Sequence, residues 1–448
     1  MTKGDRGHFA TKFGVLMATV GSAVGLGNIW RFPYQMGMNG GAAFLIVYIL
    51  AVFLMGIPAM VAEFIIGRES HKNTVDAFNT LAPGTRWNLL GYLGVITGGI
   101  ISCYYCVVVG WTLYYLCISA SNSLVGYSPE QYNVVFNNFV TNPYIPTLFL
   151  VLVIVITGVI VSRGVQNGIE RMSKIMMPML FILLIVLGIN SCMMPNAFQG
   201  LKFMFVYDAS KLTFDGAMGA VGQAFYSLSL GMGCLITYSS YFKDNVDLPK
   251  TASQIAIVDL LVAVLSGVMI FPALFSLGMQ PDEGTGLVFK VLPSVFSQMA
   301  LGSVWAVMFY VLLFIAALTS FMSLYEVIIS FVVENFNITR VRACIIMSAI
   351  FAVMGTISSL SFGVLSDFTI FGNTIFDTFD YLSTTILLPF GGIFTSLFVG
   401  WRLDKKVINT QLNINSPFKF KAIKVYIFFL RFIIPIAILT MFVFSIVN

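Results

Sequence analysis

A few polar residues in this chain stand where chemistry is possible. Thr319 and Ser320 follow Ala316 at i+3 and i+4, so two hydroxyls and a carbonyl share one helix face. That face suits a hard cation held through oxygen; the competing reading is that both hydroxyls back-bond to carbonyls one turn earlier. Asp259 lies in a long apolar run, where a carboxylate is a strong cation ligand, a proton carrier, or a protonated acid bonded to a neighbouring helix. Glu63 is also isolated and reads as support for backbone donors freed by a broken helix. Glu326 reads as a group towards the inner side that meets cytoplasmic water. Arg31, Asp377 and Asp380 fall at a common outer depth, which suits an Arg–Asp pair closing over a ligand or two acids facing external water.

The element that must position these groups is the run Gly21-Ser22-Ala23-Val24-Gly25-Leu26-Gly27-Asn28-Ile29-Trp30-Arg31-Phe32-Pro33-Tyr34-Gln35. It sits inside an apolar segment but is a poor recipe for a continuous helix. Each glycine costs about 1 kcal/mol relative to alanine, and Pro33 removes a backbone donor. Gly21 and Gly25 alone would serve as a packing face with a snorkelling Arg31. Asn28 and Arg31 directly afterwards favour a site instead. A helix broken in mid-membrane can offer carbonyls to a cation and amides to a carboxylate.

The chain has 448 residues, 58% hydrophobic and 10% charged, with mean hydropathy +0.91. That composition excludes a soluble globular protein and gives an all-α polytopic membrane protein. At about 20 residues per span, eleven are expected: about 9–36, 41–67, 88–121, 143–162, 169–193, 217–242, 250–278, 301–334, 341–358, 376–401 and 422–447. The first, preceded by Lys3 and Arg6, is long and lacks a small-residue cleavage site, so it reads as an uncleaved span. Lys and Arg crowd one set of loops (Arg68, Lys72, Arg163, Arg340, Lys405 and others), whereas the opposite set holds only Lys202, Lys211 and Lys290. This bias puts the N-terminus in the cytoplasm and, with an odd span count, the C-terminus outside. The net charge of +5 is that topology signal, so no nucleic-acid partner is expected. Most of the six cysteines lie within spans, and Cys103 with Cys106 has no histidine partner for a metal. Enzyme readings fare badly: there is no phosphate-loop Gly-Lys pair and no HExxH, and His8 and His71 both lie near the inner surface.

No soluble domain interrupts the spans. The outer loops at about 122–142 and 194–216 are polar and aromatic, and 279–300, with Pro281-Asp282-Glu283-Gly284, reads as a re-entrant or capping hairpin. The run Gln223-Ala224-Phe225-Tyr226-Ser227-Leu228-Ser229-Leu230-Gly231-Met232-Gly233 gives the sixth span a polar, glycine-rich break like the first. Spans one and six correspond if the core is two five-helix halves. Since five is odd, the halves must be inverted: about 9–193 and 217–401, with 422–447 outside the repeat. Paired broken helices in inverted repeats favour an alternating-access transporter over a channel.

Residues 21–35, 223–233 and 316–320 closely resemble the signature helices of neurotransmitter:sodium symporters, most of all the bacterial amino-acid members. The likeness runs from Arg6 to the tenth span. It implies two sodium sites. The first would use the Ala23 carbonyl, Asn28, Ser227, Asp259 and the substrate carboxylate; the second, carbonyls of Gly21, Val24 and Ala316 with hydroxyls of Thr319 and Ser320. The resemblance places the substrate carboxylate on the Leu26 and Gly27 amides and the Tyr105 hydroxyl. Its amine would meet carbonyls of Ala23, Tyr226, Ser227 and Ser229. The side-chain pocket would be Ile101, Tyr105, Tyr226, Met232, Ser320, Phe321 and Leu324. Arg31 and Gln35 with Asp380, under Tyr226, resemble an outer gate; Arg6 with Glu334 and Tyr241 resembles an inner one.

Some positions depart from the family pattern. Asp259 stands where many relatives have Asn, Ser227 where some have Thr, and Phe9 and Glu334 where Trp and Asp are usual. The paired outer-loop cysteines of animal members and the twelfth span of many relatives are absent. The expected function is sodium-coupled import of a neutral hydrophobic or aromatic amino acid across the cell membrane, independent of chloride. A proton-coupled amino-acid transporter and a non-transporting amino-acid receptor are the alternatives.

Overall fold

Apolar runs of this length can satisfy their backbone in a bilayer only as helices, and helices are what they form. The computed structural model describes residues 7–124, 126–278, 286–414 and 422–447. The first span is two helices, α1 (Lys12–Ala23) and α2 (Gly27–Met38), bent by 51°. Then come α3 (Ala42–Ser70), α4 (Asn88–Ala120), α5 (Ile145–Ser162) and α6 (Val165–Cys192). The sixth span is α7 (Phe214–Ser227) and α8 (Cys234–Ser239), interrupted by turn at 228–233. It is followed by α9 (Leu248–Ser276), the short apolar α10 (Leu287–Ser297), α11 (Gly302–Phe336), α12 (Arg340–Leu360) and α13 (Ile375–Arg402). An inner-loop helix, α14 (Lys405–Asn413), leads to α15 (Ile423–Ile446).

Among the described residues nine helices are long and apolar enough to cross a membrane, ten with the bent pair. The sixth expected span, 217–242, is there only in pieces, so the full count of eleven is not reached. The 14 residues of α7 reach about 21 Å, short of a hydrocarbon core of about 30 Å. Of the hairpin expected at 279–300, the described part is α10; residues 279–285 lie outside the described residues.

Packing follows the apolar faces. The longest helices, α4 and α11, lie along each other, α5 packs on α12, α6 on α9, and both halves of the sixth span on α3. The break in the sixth span is splinted from α3: Glu63 Oε1 accepts the Gly231 amide at 2.7 Å. Gly231 has φ +80°, and a Cβ there would meet the Leu388 carbonyl oxygen of α13 at 2.6 Å, so only glycine fits.

Glu326 does not meet water. It is fully buried, Arg340 forks onto both its oxygens, and the Tyr241 hydroxyl donates to Oε1 at 2.7 Å. A carboxylate left unpaired at this depth would be costly, and Arg340 at the start of α12 supplies the opposite charge. Asp377 is exposed, and Thr374 caps its helix by accepting the Asp377 amide while donating to the Asp377 carboxylate.

Candidate functional site

Both broken spans unwind at the same place, and a small cavity of about 40 Å³ lies between the breaks. It is narrower than an open small-ligand site, so a ligand would have to part its walls. The α1 helix ends at Ala23, and Val24 turns extended (φ −72°, ψ 111°). The first amides of α2, on Leu26 and Gly27 or just after, have no partner within their own helix. Ser229 takes a left-handed φ of +54°, and its hydroxyl donates to the Ser22 carbonyl at 2.8 Å. Gln223 Nε2 donates to the Gly27 carbonyl at 2.8 Å. Two bonds therefore join the first and sixth spans on either side of their breaks.

Of the expected substrate residues, Ala23, Leu26, Gly27, Ile101, Tyr105 and Tyr226 line this cavity, as do Ser227, Ser229, Met232, Ser320 and Leu324. Phe321 does not. It is fully buried and packs between Tyr105 and Tyr325, because adjacent residues on a helix point about 100° apart. Ser22, Gly25 and Ser323 also line the cavity and were not expected. Gly25 is required by space: a Cβ would meet Ser320 Oγ at 2.4 Å. No lining side chain carries a charge.

Beside the cavity the Ser320 hydroxyl approaches the carbonyls of Gly21, Ser22 and Val24 at 3.4, 3.5 and 3.2 Å. Thr319 Oγ1 lies 3.1 Å from the Ala316 carbonyl. Back-bonding is also present, since Thr319 donates to Ile315 at 3.0 Å. Oxygens bound at about 2.3–2.6 Å to a cation of calcium's size, which sodium shares, lie about 3.3–3.7 Å apart in an octahedral shell. The residues present fit such an ion.

On the other side of the break, Asn28, Ser227 and Asp259 come together, all fully buried. Asn28 Nδ2 donates to Asp259 Oδ1 at 2.8 Å and to Ser227 Oγ at 2.9 Å, while its Oδ1 accepts the Gly25 amide at 3.1 Å. The Ser227 hydroxyl lies 2.9 and 2.8 Å from the two carboxylate oxygens. Tyr48 donates to Asp259 Oδ2 at 3.2 Å. Sequence reasoning missed Tyr48; its one signal was a hydroxyl inside the aliphatic run of the second span. A cation here would be held by the carboxylate, Ser227 and an Asn28 oxygen turned inward.

The gate residues are arranged less directly. Arg31 lies over the Tyr226 ring at 4.4 Å and forms no ion pair with Asp380 within 4.0 Å. Arg31, Gln35 and Tyr226 line an outer cleft, whose lining does not include Asp380. Tyr241 and Glu334 line an inner cleft; Glu334 accepts the Asn73 amide at 3.1 Å and its Nδ2 at 2.9 Å. Phe9 plugs this side, edge-on to Tyr238 and Tyr241. Arg6 lies outside the described residues.

Helices that stop halfway and turn their ends to a shared cavity are how secondary transporters hold a ligand at mid-membrane, and this chain is built as one of that class. The sequence model of the sodium:neurotransmitter symporter family matches residues 6–138 and 136–448, and the chain belongs to that family of sodium-dependent transporters. It is 39% identical to the uncharacterized sodium-dependent transporter YhdH of Bacillus subtilis, over 97% of this chain and 96% of that one. A sodium-dependent transporter of Haemophilus influenzae is 35% identical, over 98% of both. The crystal structure of MhsT in complex with L-phenylalanine superposes with a TM-score of 0.90 at 43% identity, covering 98% of this chain and 99% of that one.

Proposed function

We propose that the chain imports a neutral amino acid with a hydrophobic or aromatic side chain, coupled to two sodium ions and independent of chloride. The cavity carries this reading. One end offers the Leu26 and Gly27 amides beside the Tyr105 hydroxyl, which suits a carboxylate; the other is rich in carbonyls, which suits an ammonium. Between them Ile101, Met232 and Leu324 make an apolar, uncharged wall. The phenylalanine complex of MhsT supports a zwitterion with such a side chain.

The first sodium would sit with Asn28, Ser227, Asp259, the Ala23 carbonyl and the substrate carboxylate. The second would sit among Gly21, Val24, Ala316, Thr319 and Ser320. Asp259 brings a fixed negative charge to the first ion, and buried Ala263 one turn on has no hydroxyl for an anion. At short range in a medium of low effective dielectric, that charge does the work of chloride. Arg31, Gln35, Tyr226 and Asp380 form the outer gate, closing as Arg31 and Asp380 approach. Arg6, Tyr241 and Glu334 form the inner one. The N-terminus faces the cytoplasm and the C-terminus the outside of the cell membrane. The contacts of span three with eight and of four with nine support halves related by an inverted repeat.

Purified protein in liposomes should accumulate labelled phenylalanine, tryptophan or leucine only under an inward sodium gradient, whether the anion is chloride or gluconate. Uptake driven by a proton gradient without sodium would overturn the coupling, and binding without uptake would make the chain a receptor.

A further inference from the structure

Arg431 is the ninth residue of α15, about 12 Å along from the start of that helix. This span has only 28% of its apolar window buried, the lowest share of any. Among the described residues no carboxylate lies within 4.0 Å of the guanidinium. The side chain is nevertheless held in one place. Its Nε donates to the Gly400 carbonyl at 2.6 Å, and the guanidinium lies 4.5 Å over the Trp401 ring. Two π-helical turns meet here, Phe398–Arg402 in α13 and Phe429–Ile433 in α15. A Cβ on Gly400 would meet Arg431 Cγ at 3.0 Å, so the missing side chain lets the helices close on the arginine.

With Nε fixed, the two terminal nitrogens have no partner among the described residues. Around them stand exposed apolar rings: Trp401 (57% exposed), Phe428 (51%) and Phe432 (40%). Towards the loop, Arg402, Lys405, Lys406 and Lys424 are exposed, against one acid, Asp404, which caps α14 through the Lys406 amide. A fixed fork of two donors at hydrocarbon depth needs an anion, and guanidinium matches phosphate in charge and shape. A bilayer supplies that anion on a lipid, and basic pockets between membrane helices are where such headgroups settle.

We propose that the crevice between α13 and α15 binds an anionic phospholipid of the leaflet beside the Lys- and Arg-rich loops. The phosphate sits on the Arg431 fork, the remaining headgroup charge faces Arg402, Lys405 and Lys424, and the acyl chains cover Trp401, Phe428 and Phe432.

The test is native mass spectrometry of the full chain, stripped of lipid and titrated with phosphatidylglycerol, phosphatidylcholine or inorganic phosphate. Wild type should hold phosphatidylglycerol at least about tenfold more tightly than phosphatidylcholine, and Arg431→Gln should remove that preference. Trp401→Leu keeps the bond to Gly400 and should weaken the lipid several-fold. Monodisperse elution and thermal unfolding show that each variant is folded; if Arg431→Gln is not, Trp401→Leu decides alone. Equal affinity of wild type for both lipids, unchanged phosphatidylglycerol affinity in the folded variants, or displacement of lipid by millimolar inorganic phosphate overturns the proposal.

Discussion

Asn28 Nδ2 and Asp259 Oδ1 stand 2.8 Å apart, tying the broken first span to the seventh. The amide turns its nitrogen to the carboxylate and its oxygen to the Gly25 amide. A cation approaching Asp259 must therefore compete with a donor already in place. A cation held as proposed through the Asn28 oxygen would share that oxygen with the Gly25 amide, next to the break itself.

Replacing Asp259 by Asn removes the fixed charge while keeping the volume. The variant should lose transport in gluconate and either regain part of it in chloride or lose it altogether. Uptake at fixed sodium with the anion exchanged is the measurement; a wild type that stops in gluconate refutes the idea.

Thr319→Ala with Ser320→Ala takes two oxygens from the second ion site. At roughly 1–3 kcal/mol for each lost polar ligand, the sodium concentration for half-maximal binding should rise about tenfold or more. A sodium titration of substrate binding reads this directly. Unchanged sodium affinity would remove the site from this face of α11.

Arg31→Ala removes a cation stacked 4.4 Å over Tyr226 and within electrostatic reach of Asp380. If the pair tightens only as the outer mouth closes, as proposed, transport should fall much further than equilibrium binding. Equal losses in both, or a normal rate, would show that Arg31 is no gate.

Met232→Phe puts a rigid ring into the apolar wall of the cavity. Steric overlap of this kind is worth about 1–3 kcal/mol, so preference should move about tenfold from tryptophan towards leucine. Competition between labelled amino acids gives the ratio, and a constant ratio excludes Met232 from side-chain selection.

Glu326→Ala leaves the partly buried Arg340 with its charge unmatched, a loss of up to about 3–5 kcal/mol, the figure for fully buried pairs. Thermal unfolding in detergent should fall by several degrees. Glu326→Gln, which keeps an acceptor, should lose less. Identical melting of all three proteins would mean that the pair contributes nothing.

Much of the site was legible because it is made by exceptions to the membrane code. Glycines and an asparagine in an apolar run announced the first break, and Ser227 with Gly231 and Gly233 announced the second. What stayed hidden depended on which side of a helix faces which neighbour. Phe321 follows Ser320 in sequence, yet it points a quarter-turn away into the packing behind Tyr105. Tyr48 looked like one more bulky core residue, since nothing in its own span shows that Asp259 lies opposite. Arg340 read as a topology charge in an inner loop, so Glu326 was left without the partner that makes its burial tolerable. The apolar run at 217–242 put the sixth span among those expected, but only its glycine-rich break indicated that it would be divided rather than continuous.

The bonds from Ser229 to the Ser22 carbonyl and from Gln223 to the Gly27 carbonyl make the two breaks behave as two joints on one axle. A movement at either break would have to carry these two bonds with it or break them. A ligand gripped at one joint reports its arrival to both halves of the molecule without a relay through intervening side chains. The bonds join residues about two hundred positions apart, so each break is held in part by chain from the other half.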